Sequence, residues 1–237
     1  MYNPLIMLRL LLRWVGLLGI CSAPALANTL CVTGTLASYE ALGAGGCQIG
    51  SLNVVNFAYT PVSGDVTIPD TAITVTPDAA PGSLDLTFSS GLSSPISGGD
   101  SAVYLLSYTW DIGDIRSLED ILNSDPPVFP GLVRISTLDC EDAAFVGSSC
   151  IDATDTVVVS DNGNTHITPA SVSFLGGVGL LGIRDTITLN GGGAGNGGSA
   201  NYTSFENDLT ITPEPSTVAP CLLLGLLMWR RLRLKRL

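Results

Sequence analysis

Basic side chains are scarce in this chain of 237 residues, which has one lysine and one histidine. Two arginines lie in the first 27 residues and five basic residues follow Trp229. The stretch 28–212 therefore has three arginines against twenty acidic residues, a formal charge of −17. A field of that sign repels nucleic acid and anionic lipid. The sequence thus predicts an acidic surface on this stretch and no nucleic-acid partner.

The single histidine limits the available chemistry. A Ser-His-Asp triad or a zinc site would have to be built around His166. The neighbours of His166 predict that it lies on a surface strand. No Gly-x-Ser-x-Gly elbow of a serine hydrolase occurs in the sequence. Residues 177–182 and 193–198 satisfy GxGxxG, but neither opens a helix within a βαβ unit. We predict a glycine-rich strand or bend and a flexible loop there. No catalytic residue is predicted, and no metal or cofactor is predicted apart from the structural calcium considered below.

Near the N-terminus, the apolar run is too short for a typical transmembrane helix of about 20 residues. Arg9 and Arg13 are interspersed with apolar residues, the run 14–20 follows, and Ala25 and Ala27 form a small-x-small peptidase site. This order predicts a secretory signal peptide over 1–27. The alternatives are an uncleaved anchor and a lipoprotein site at Cys21, and the bulky Ile20 disfavours the latter.

The C-terminus has a three-part order. Two prolines flank an acidic residue, an apolar run of about a dozen residues follows at 218–229, and a basic cluster ends the chain. The basic cluster predicts a cytoplasmic end, with everything before Ser216 outside. The apolar run predicts a transmembrane helix that snorkelling arginine stems help to accommodate. The motif consists of Pro213, Glu214 and Pro215, and the stop-transfer cluster of Arg230, Arg231, Arg233, Lys235 and Arg236.

This tail, residues 213–237, resembles the PEP-CTERM sorting signal of Gram-negative bacteria that make exopolysaccharide. The resemblance implies that an exosortase, a membrane-embedded cysteine protease, recognises the tail and cuts near the motif. It also implies an inner-membrane form with its ectodomain outside the cytoplasm, followed by release to the cell surface or matrix. An ordinary tail anchor is the alternative. The two prolines keep the motif extended, where a protease can bind it.

Four cysteines remain between the two targeting segments. They allow three connectivities, and an exported protein meets oxidising conditions. We favour the pairs that are local in sequence, which each span a short loop. These are Cys31 with Cys47 and Cys140 with Cys150.

Hydrophobic residues between 28 and 212 alternate with a period of two. This pattern is typical of half-buried strands, and Pro, Gly, Ser, Asn and Asp clusters separate the segments. We predict one mainly β ectodomain, an antiparallel and jelly-roll-like β-sandwich, with short helical turns around 37–42 and 115–122. No internal repeat suggests a propeller or β-helix. The predicted strands lie at 52–59, 72–76, 83–88, 102–112, 132–138, 156–160, 171–174, 185–189 and 204–211.

Three acidic segments are candidates for a structural calcium site, because calcium prefers carboxylate and carbonyl oxygens from such loops. None matches the D-x-[DN]-x-[DN]-G pattern, and solvated acidic loops are the alternative. The segments contain Asp111, Asp114, Glu119, Asp120 and Asp125; then Asp139, Glu141 and Asp142; then Asp152, Asp155 and Asp161.

The function predicted from these features is that of a non-enzymatic surface or matrix protein with a structural or adhesive role in exopolysaccharide or biofilm. Its expected partners are signal peptidase and the secretion machinery, the exosortase, the inner membrane and exopolysaccharide. One alternative is a carbohydrate-binding module that uses Tyr104, Tyr108 or Trp110 against sugar faces, unless these alternate into the core. The other is a polysaccharide hydrolase with paired carboxylates.

Overall fold

A computed structural model of the protein describes residues 29–123, 127–147 and 149–212. The predicted signal peptide and sorting signal lie outside these residues. Within them, α1 spans Leu36–Glu40, and a 3₁₀ turn spans Gly43–Gly45. The strands are β1 Gly34–Thr35, β2 Cys47–Ile49, β3 Leu52–Gly64, β4 Thr74–Ala80, β5 Ser83–Ser89, β6 Ile96–Ser97, β7 Ser101–Asn123, β8 Leu132–Glu141, β9 Thr156–Asp161, β10 His166–Ile167, β11 Ala170–Asn190, β12 Ser199–Ala200 and β13 Ser204–Ile211.

All pairings between these strands are antiparallel, which confirms the predicted mainly β antiparallel class. The main sheet has the order β1-β4-β5-β13-β7-β11-β8-β9-β10, with β3 also paired to β7 and β2 to β3. The long strands β7 and β11 belong to two half-sheets. The first half-sheet contains β3, β8, β9 and residues 101–111 and 180–190. The second contains β4, β5, β13 and residues 115–123 and 170–178.

The two half-sheets pack against each other through aromatic side chains. Tyr108 of the first half-sheet lies 5.7 Å from Phe88 of the second, measured between ring centroids, and stacks on Phe57 at 5.1 Å. Phe88 in turn stacks on Phe205 at 5.0 Å. Burial of these large apolar surfaces supplies the main driving force for closing the sheet on itself.

The bend between the half-sheets uses glycine. Register shifts interrupt the pairing of β11 with β7 between Ser173 and Val178. Gly176 and Gly177 have φ values of 88° and 77°, a conformation that side-chain-bearing residues rarely adopt. A β-carbon at Gly177 would also lie 1.9 Å from Asp114 Oδ1. The glycine-rich bend predicted at 177–182 is therefore part of a strand that bulges here.

One predicted turn is wrong. Residues 115–122 have apolar side chains at helical spacing, yet they form the second part of β7, between β11 and β13. Hydrogen bonding on both sides outweighs the local preference, and Asp120 takes an inward position that breaks the apolar alternation. The other predicted helical turn forms as α1, which Thr35 caps by accepting a hydrogen bond from Ser38 N at 3.3 Å.

Both disulfides are those that the sequence favours. Cys31 pairs with Cys47, with their Cα atoms 4.9 Å apart, and Cys140 pairs with Cys150, with their Cα atoms 5.6 Å apart. The first joins the start of the described chain to β2, and the second joins the end of β8 to a cysteine ten positions further along the chain. Among the described residues, no helix has the length and apolar character needed to cross a membrane.

Candidate functional site: a groove on the outer face of the first half-sheet

The outward side chains of the first half-sheet form a surface that we call the arginine face. Strand alternation places hydroxyl and aliphatic side chains there, together with Arg134 and Arg184. Its residues are Asn56, Ala58, Thr60, Val62, Val103, Leu105, Ser107, Asp111, Arg134, Ser136, Leu138, Thr156, Val158, Ser160, Arg184, Thr186 and Thr188, and Thr109 is also outward but almost fully covered.

A groove of about 430 Å³ lies on this face. Its floor crosses three adjacent strands, because Ala58 pairs with Ser107 and Ser107 pairs with Arg184. Neighbouring strands are about 4.8 Å apart, so the floor is roughly 10 Å wide. The lining is Asn56, Ala58, Thr60, Leu105, Ser107, Phe145, Gly147 and Arg184.

One wall of the groove is the disulfide loop, by which we mean the residues between Cys140 and Cys150. Gly182 N donates to Ala143 O at 3.1 Å, and Gly179 N donates to Asp142 Oδ1 at 3.0 Å. A β-carbon at Gly182 would lie 2.9 Å from Ala143 O. The missing side chain therefore lets the loop lie directly on β11, and the disulfide and these bonds hold Phe145 at the groove.

Arg184 contacts Phe145 through its guanidinium group. The Arg184 Cζ atom lies 4.8 Å from the centroid of the Phe145 ring, within the range of a cation–π interaction. The pair therefore places an aromatic ring and a cationic group side by side in the lining of the groove.

A second, smaller pocket of about 150 Å³ lies between the end of β3 and Val66–Ile68. Tyr59 lines it, but the Tyr59 hydroxyl donates to Ile68 O at 2.5 Å. This hydroxyl therefore ties the 66–68 segment to β3 and has a structural role. The larger groove on the arginine face is the better candidate for ligand binding.

The aromatic residues proposed for sugar contacts lie elsewhere. Tyr104, Tyr108 and Trp110 are 3%, 2% and 0% exposed and point between the half-sheets. The Tyr104 hydroxyl is hydrogen-bonded to that of Tyr202, and the Tyr108 hydroxyl donates to Asn207 Oδ1 at 2.7 Å. Their candidate role as a sugar platform is wrong, because period-two alternation turns all three into the core.

Buried beside Tyr108 are two carboxyl groups that share a hydroxyl. Thr137 Oγ1 lies 2.5 Å from Asp120 Oδ2 and 2.7 Å from Asp185 Oδ1. A hydroxyl has one proton to donate, so one carboxyl must carry a proton of its own. Burial, followed by the charge of Asp120, raises the pKa of Asp185 well above its usual range, whereas Asp120 also accepts from Asn207 Nδ2 at 2.7 Å. Asp185 therefore carries the proton.

The first of the predicted calcium segments is dispersed in the fold, whereas the second and third lie together. Asp120 is buried, Glu119 points outward on the second half-sheet, and Asp114 pairs with Arg116 at 2.6 Å. Asp139 Oδ1 accepts from Asp155 N at 2.7 Å, which brings the second and third segments together. Across the described chain, no three His, Cys, Asp or Glu side chains are grouped so as to hold a metal ion, and calcium stays a prediction; Asp125 lies outside the described residues.

His166 is half-exposed on β10, the surface strand position that its neighbours predict. Its Nδ1 atom lies 2.9 Å from Asp161 Oδ2, and Asp161 Oδ1 accepts from Gly163 N at 2.8 Å in the turn between β9 and β10. This contact joins the two short strands.

Comparison with known proteins shows only weak similarity. No family model and no curated protein matches the chain. Among solved structures, it is similar to that of TmCBM61 in complex with beta-1,4-galactotriose at 1.4 Å resolution. The two share 11% identity at a TM-score of 0.31, over 65% of this chain and 84% of the other. At this level of similarity, functional proposals rest on the groove and on the sequence.

Proposed function

We propose that this protein is exported to the cell surface or extracellular matrix and that its ectodomain binds polysaccharide there. The observation that carries the binding role is the groove, in which an aromatic ring stands over a floor of hydroxyl and amide side chains. Sugar rings present apolar faces and hydroxyl edges, so a site for them needs an aromatic surface and polar groups together. The floor of the groove crosses three strands.

The targeting part of the proposal rests on the two ends of the sequence. The signal peptide at 1–27 directs export, and the Pro213–Glu214–Pro215 motif with its apolar and basic segments directs the chain to an exosortase. Two disulfides in the described domain support an oxidising destination. The protein is thus first anchored in the inner membrane and, after cleavage, joins exopolysaccharide in a structural or adhesive role.

We propose further that the mainly β domain is a jelly-roll-like β-sandwich. Two half-sheets that pack face to face and share the bent strands β7 and β11 support it. Such sandwiches present open sheet faces, and one of these faces bears the groove.

The proposed role is non-catalytic. A glycosidase places two carboxyl groups on either side of the scissile bond, whereas the described lining of the groove contains no Asp or Glu. The carboxyl pair with a shared proton, Asp120 and Asp185, is 1% and 0% exposed and cannot reach a polymer. Binding, rather than hydrolysis, is what this lining supports.

The test is binding of the full-length protein, in neutral detergent, to exopolysaccharide purified from the producing cells. Phe145→Ala should weaken binding by several-fold to about tenfold, because it removes the aromatic surface. Phe129→Ala is the matched control, since Phe129 is 60% exposed but lies away from the groove. The proposal fails if the wild type binds none of this material, or if both variants bind like the wild type.

A further inference from the structure

Asparagine is followed by glycine at three places in the sequence, and the fold gives these pairs different environments. The first pair lies in the turn between β9 and β10, the second at the end of β11, and the third in the glycine-rich loop before β12 that matches GxGxxG. In such a pair the backbone nitrogen of the glycine can attack the side-chain amide, because glycine has no β-carbon to obstruct the approach. The pairs are Asn162 with Gly163, Asn190 with Gly191, and Asn196 with Gly197.

Hydrogen bonds hold both reacting groups of the first pair. Gly163 N donates to Asp161 Oδ1 at 2.8 Å. Asn162 Oδ1 accepts from Asn164 N at 3.0 Å and from Thr165 N at 2.7 Å. The glycine nitrogen and the asparagine amide therefore each have another partner, and these contacts must break before the two can react.

The second pair is held in the same way. Gly191 is buried, and its N–H donates to Asp100 O at 3.0 Å. Asn190 Oδ1 accepts from Gly192 N at 2.8 Å. The fold thus protects this pair as it protects the first.

The third pair lies in an open part of the loop. Residues 191–198 include six glycines, and glycine has the greatest backbone freedom. Asn196 and Gly197 are both exposed, and a β-carbon at Gly197 would meet no atom within 4 Å. Asn196 N donates to Gly193 O at 3.1 Å, but within this described loop neither the Gly197 nitrogen nor the Asn196 side chain has a hydrogen bond. The two reacting groups are therefore unrestrained.

We propose that Asn196 is a site of spontaneous covalent modification, at which the side-chain amide becomes a carboxylate through a cyclic imide. The Gly197 nitrogen attacks Cγ of Asn196. The N–Cγ bond forms, the Cγ–Nδ2 bond breaks, and ammonia leaves with the proton lost from the Gly197 nitrogen. Water then opens the ring at either carbonyl, which gives aspartate or isoaspartate. This inference does not depend on the proposed function.

The modification adds a negative charge to the surface of the domain. Charge-changing modifications alter the electrostatics of a segment, and isoaspartate also adds a methylene to the main chain. The neighbouring Gly198 is closely packed, since a β-carbon there would lie 2.4 Å from Gly191 O and 2.9 Å from Pro130 Cδ. The added methylene therefore falls in the exposed part of the loop, ahead of this packed position.

The experiment follows all three pairs in the full-length protein, held in neutral detergent at neutral and at mildly alkaline pH. Digestion with pepsin at acid pH, where imide formation is slow, and electron-transfer fragmentation assign the mass gain and the isoaspartate to individual residues. Modification at Asn196 should be at least about tenfold faster than at Asn162 or Asn190, because the protected pairs must first break hydrogen bonds. The rate at Asn196 should rise with pH, since the attacking nitrogen must lose its proton.

Two controls separate the effect of the fold from that of the dipeptide. Asn196→Gln, which would need a larger ring, should abolish modification at position 196 and leave the slow reactions at Asn162 and Asn190 unchanged. In urea with the disulfides reduced, all three pairs should react at similar rates, because the protecting hydrogen bonds are gone. The proposal is overturned if Asn196 reacts no faster than Asn162 and Asn190 in the folded protein, or if it leads by the same factor in urea.

Discussion

At the residue scale, the most informative group is the buried pair Asp120 and Asp185 with Thr137 between them. Asp185 is fully buried, and its Oδ2 atom has no hydrogen-bond partner. A charged carboxylate in that position would be costly, so Asp185 is neutral and its proton completes the hydrogen-bond network. Burial also raises the pKa of Asp120 to about 6, and both groups therefore favour the folded state at low pH.

Asp185→Asn should flatten the dependence of stability on pH. The pKa of Asp185 is raised in the folded state, so its contribution is fully present below about pH 3.8 and is lost as the pH rises above that value. The amide cannot titrate and keeps the shape and a donor for Thr137. Urea unfolding between pH 4 and 8 should show a shallower decline for the variant than for the wild type. Asp185→Ala, which leaves a cavity, should lower stability at every pH. If the stability of the wild type and of Asp185→Asn declined equally steeply with pH, the account of Asp185 would be contradicted.

At the scale of elements, four adjacent strands of the second half-sheet carry an acidic ladder, defined as Asp78, Asp85, Asp208 and Glu119. Asp85 pairs directly with Asp78 and Asp208, and Asp208 pairs with Glu119. Like charges in directly opposed positions destabilise a sheet. Burial, and then the charges of Glu206, Asp78 and Asp208, raise the pKa of Asp85 to about 6.

Asp85→Asn should therefore stabilise the protein at pH 7, by about 0.2–1 kcal/mol. In the wild type, the carboxylate is ionised above about pH 6 and repels its neighbours, whereas protonation below that pH relieves the repulsion. The advantage of the variant should shrink as the pH falls from 7 to 5 in thermal or urea unfolding. Asp65→Asn, at an exposed position outside the ladder, is the control and should have a smaller effect. A destabilised Asp85→Asn at pH 7 would show that the ladder is not repulsive.

Most strands could be predicted from the sequence because each buries one face, and alternation then shows directly, as at 204–211 and 83–88. The second part of β7 could not, because its inward position 120 is an aspartate whose partners, Thr137 and Asn207, are distant in sequence. A local pattern gives no sign of such a partner. The disulfide pairs could be predicted from the sequence because each closes a short loop.

The groove could not be predicted from the sequence, for a different reason. Its floor consists of small polar and aliphatic residues from β3, β7 and β11, which come together only through the register of the sheet. One signal was present in the sequence, namely the phenylalanine between two paired cysteines, because a constrained loop is where an aromatic side chain can be held at a surface. The predicted sugar-contacting residues were instead Tyr104, Tyr108 and Trp110, which lie in the core.

At the scale of the whole molecule, the two half-sheets differ in the charged side chains that they present. The outward face of the first half-sheet presents Arg134, Arg184 and hydroxyl side chains with Asp111 at its edge, whereas that of the other half-sheet presents the acidic ladder. The described chain ends beside the second half-sheet, where Thr212 N donates to Asp114 O at 3.0 Å and Arg116 Nε donates to Thr212 Oγ1 at 2.7 Å. The predicted sorting motif begins at the next residue. Thr212, after which the proposed sorting signal continues, is thus held against the second half-sheet.

The most direct measurement is the intact mass and cell fractionation of the protein from its native host, with and without Pro213–Glu214–Pro215 changed to alanines. The wild type should begin at Asn28 and end near 212–217, and should leave the membrane for the surface or matrix fraction. The alanine variant should keep its tail and remain in the membrane. If both versions kept the full tail in the membrane, the motif would be a plain anchor, and the account of an exosortase-processed matrix protein would be wrong.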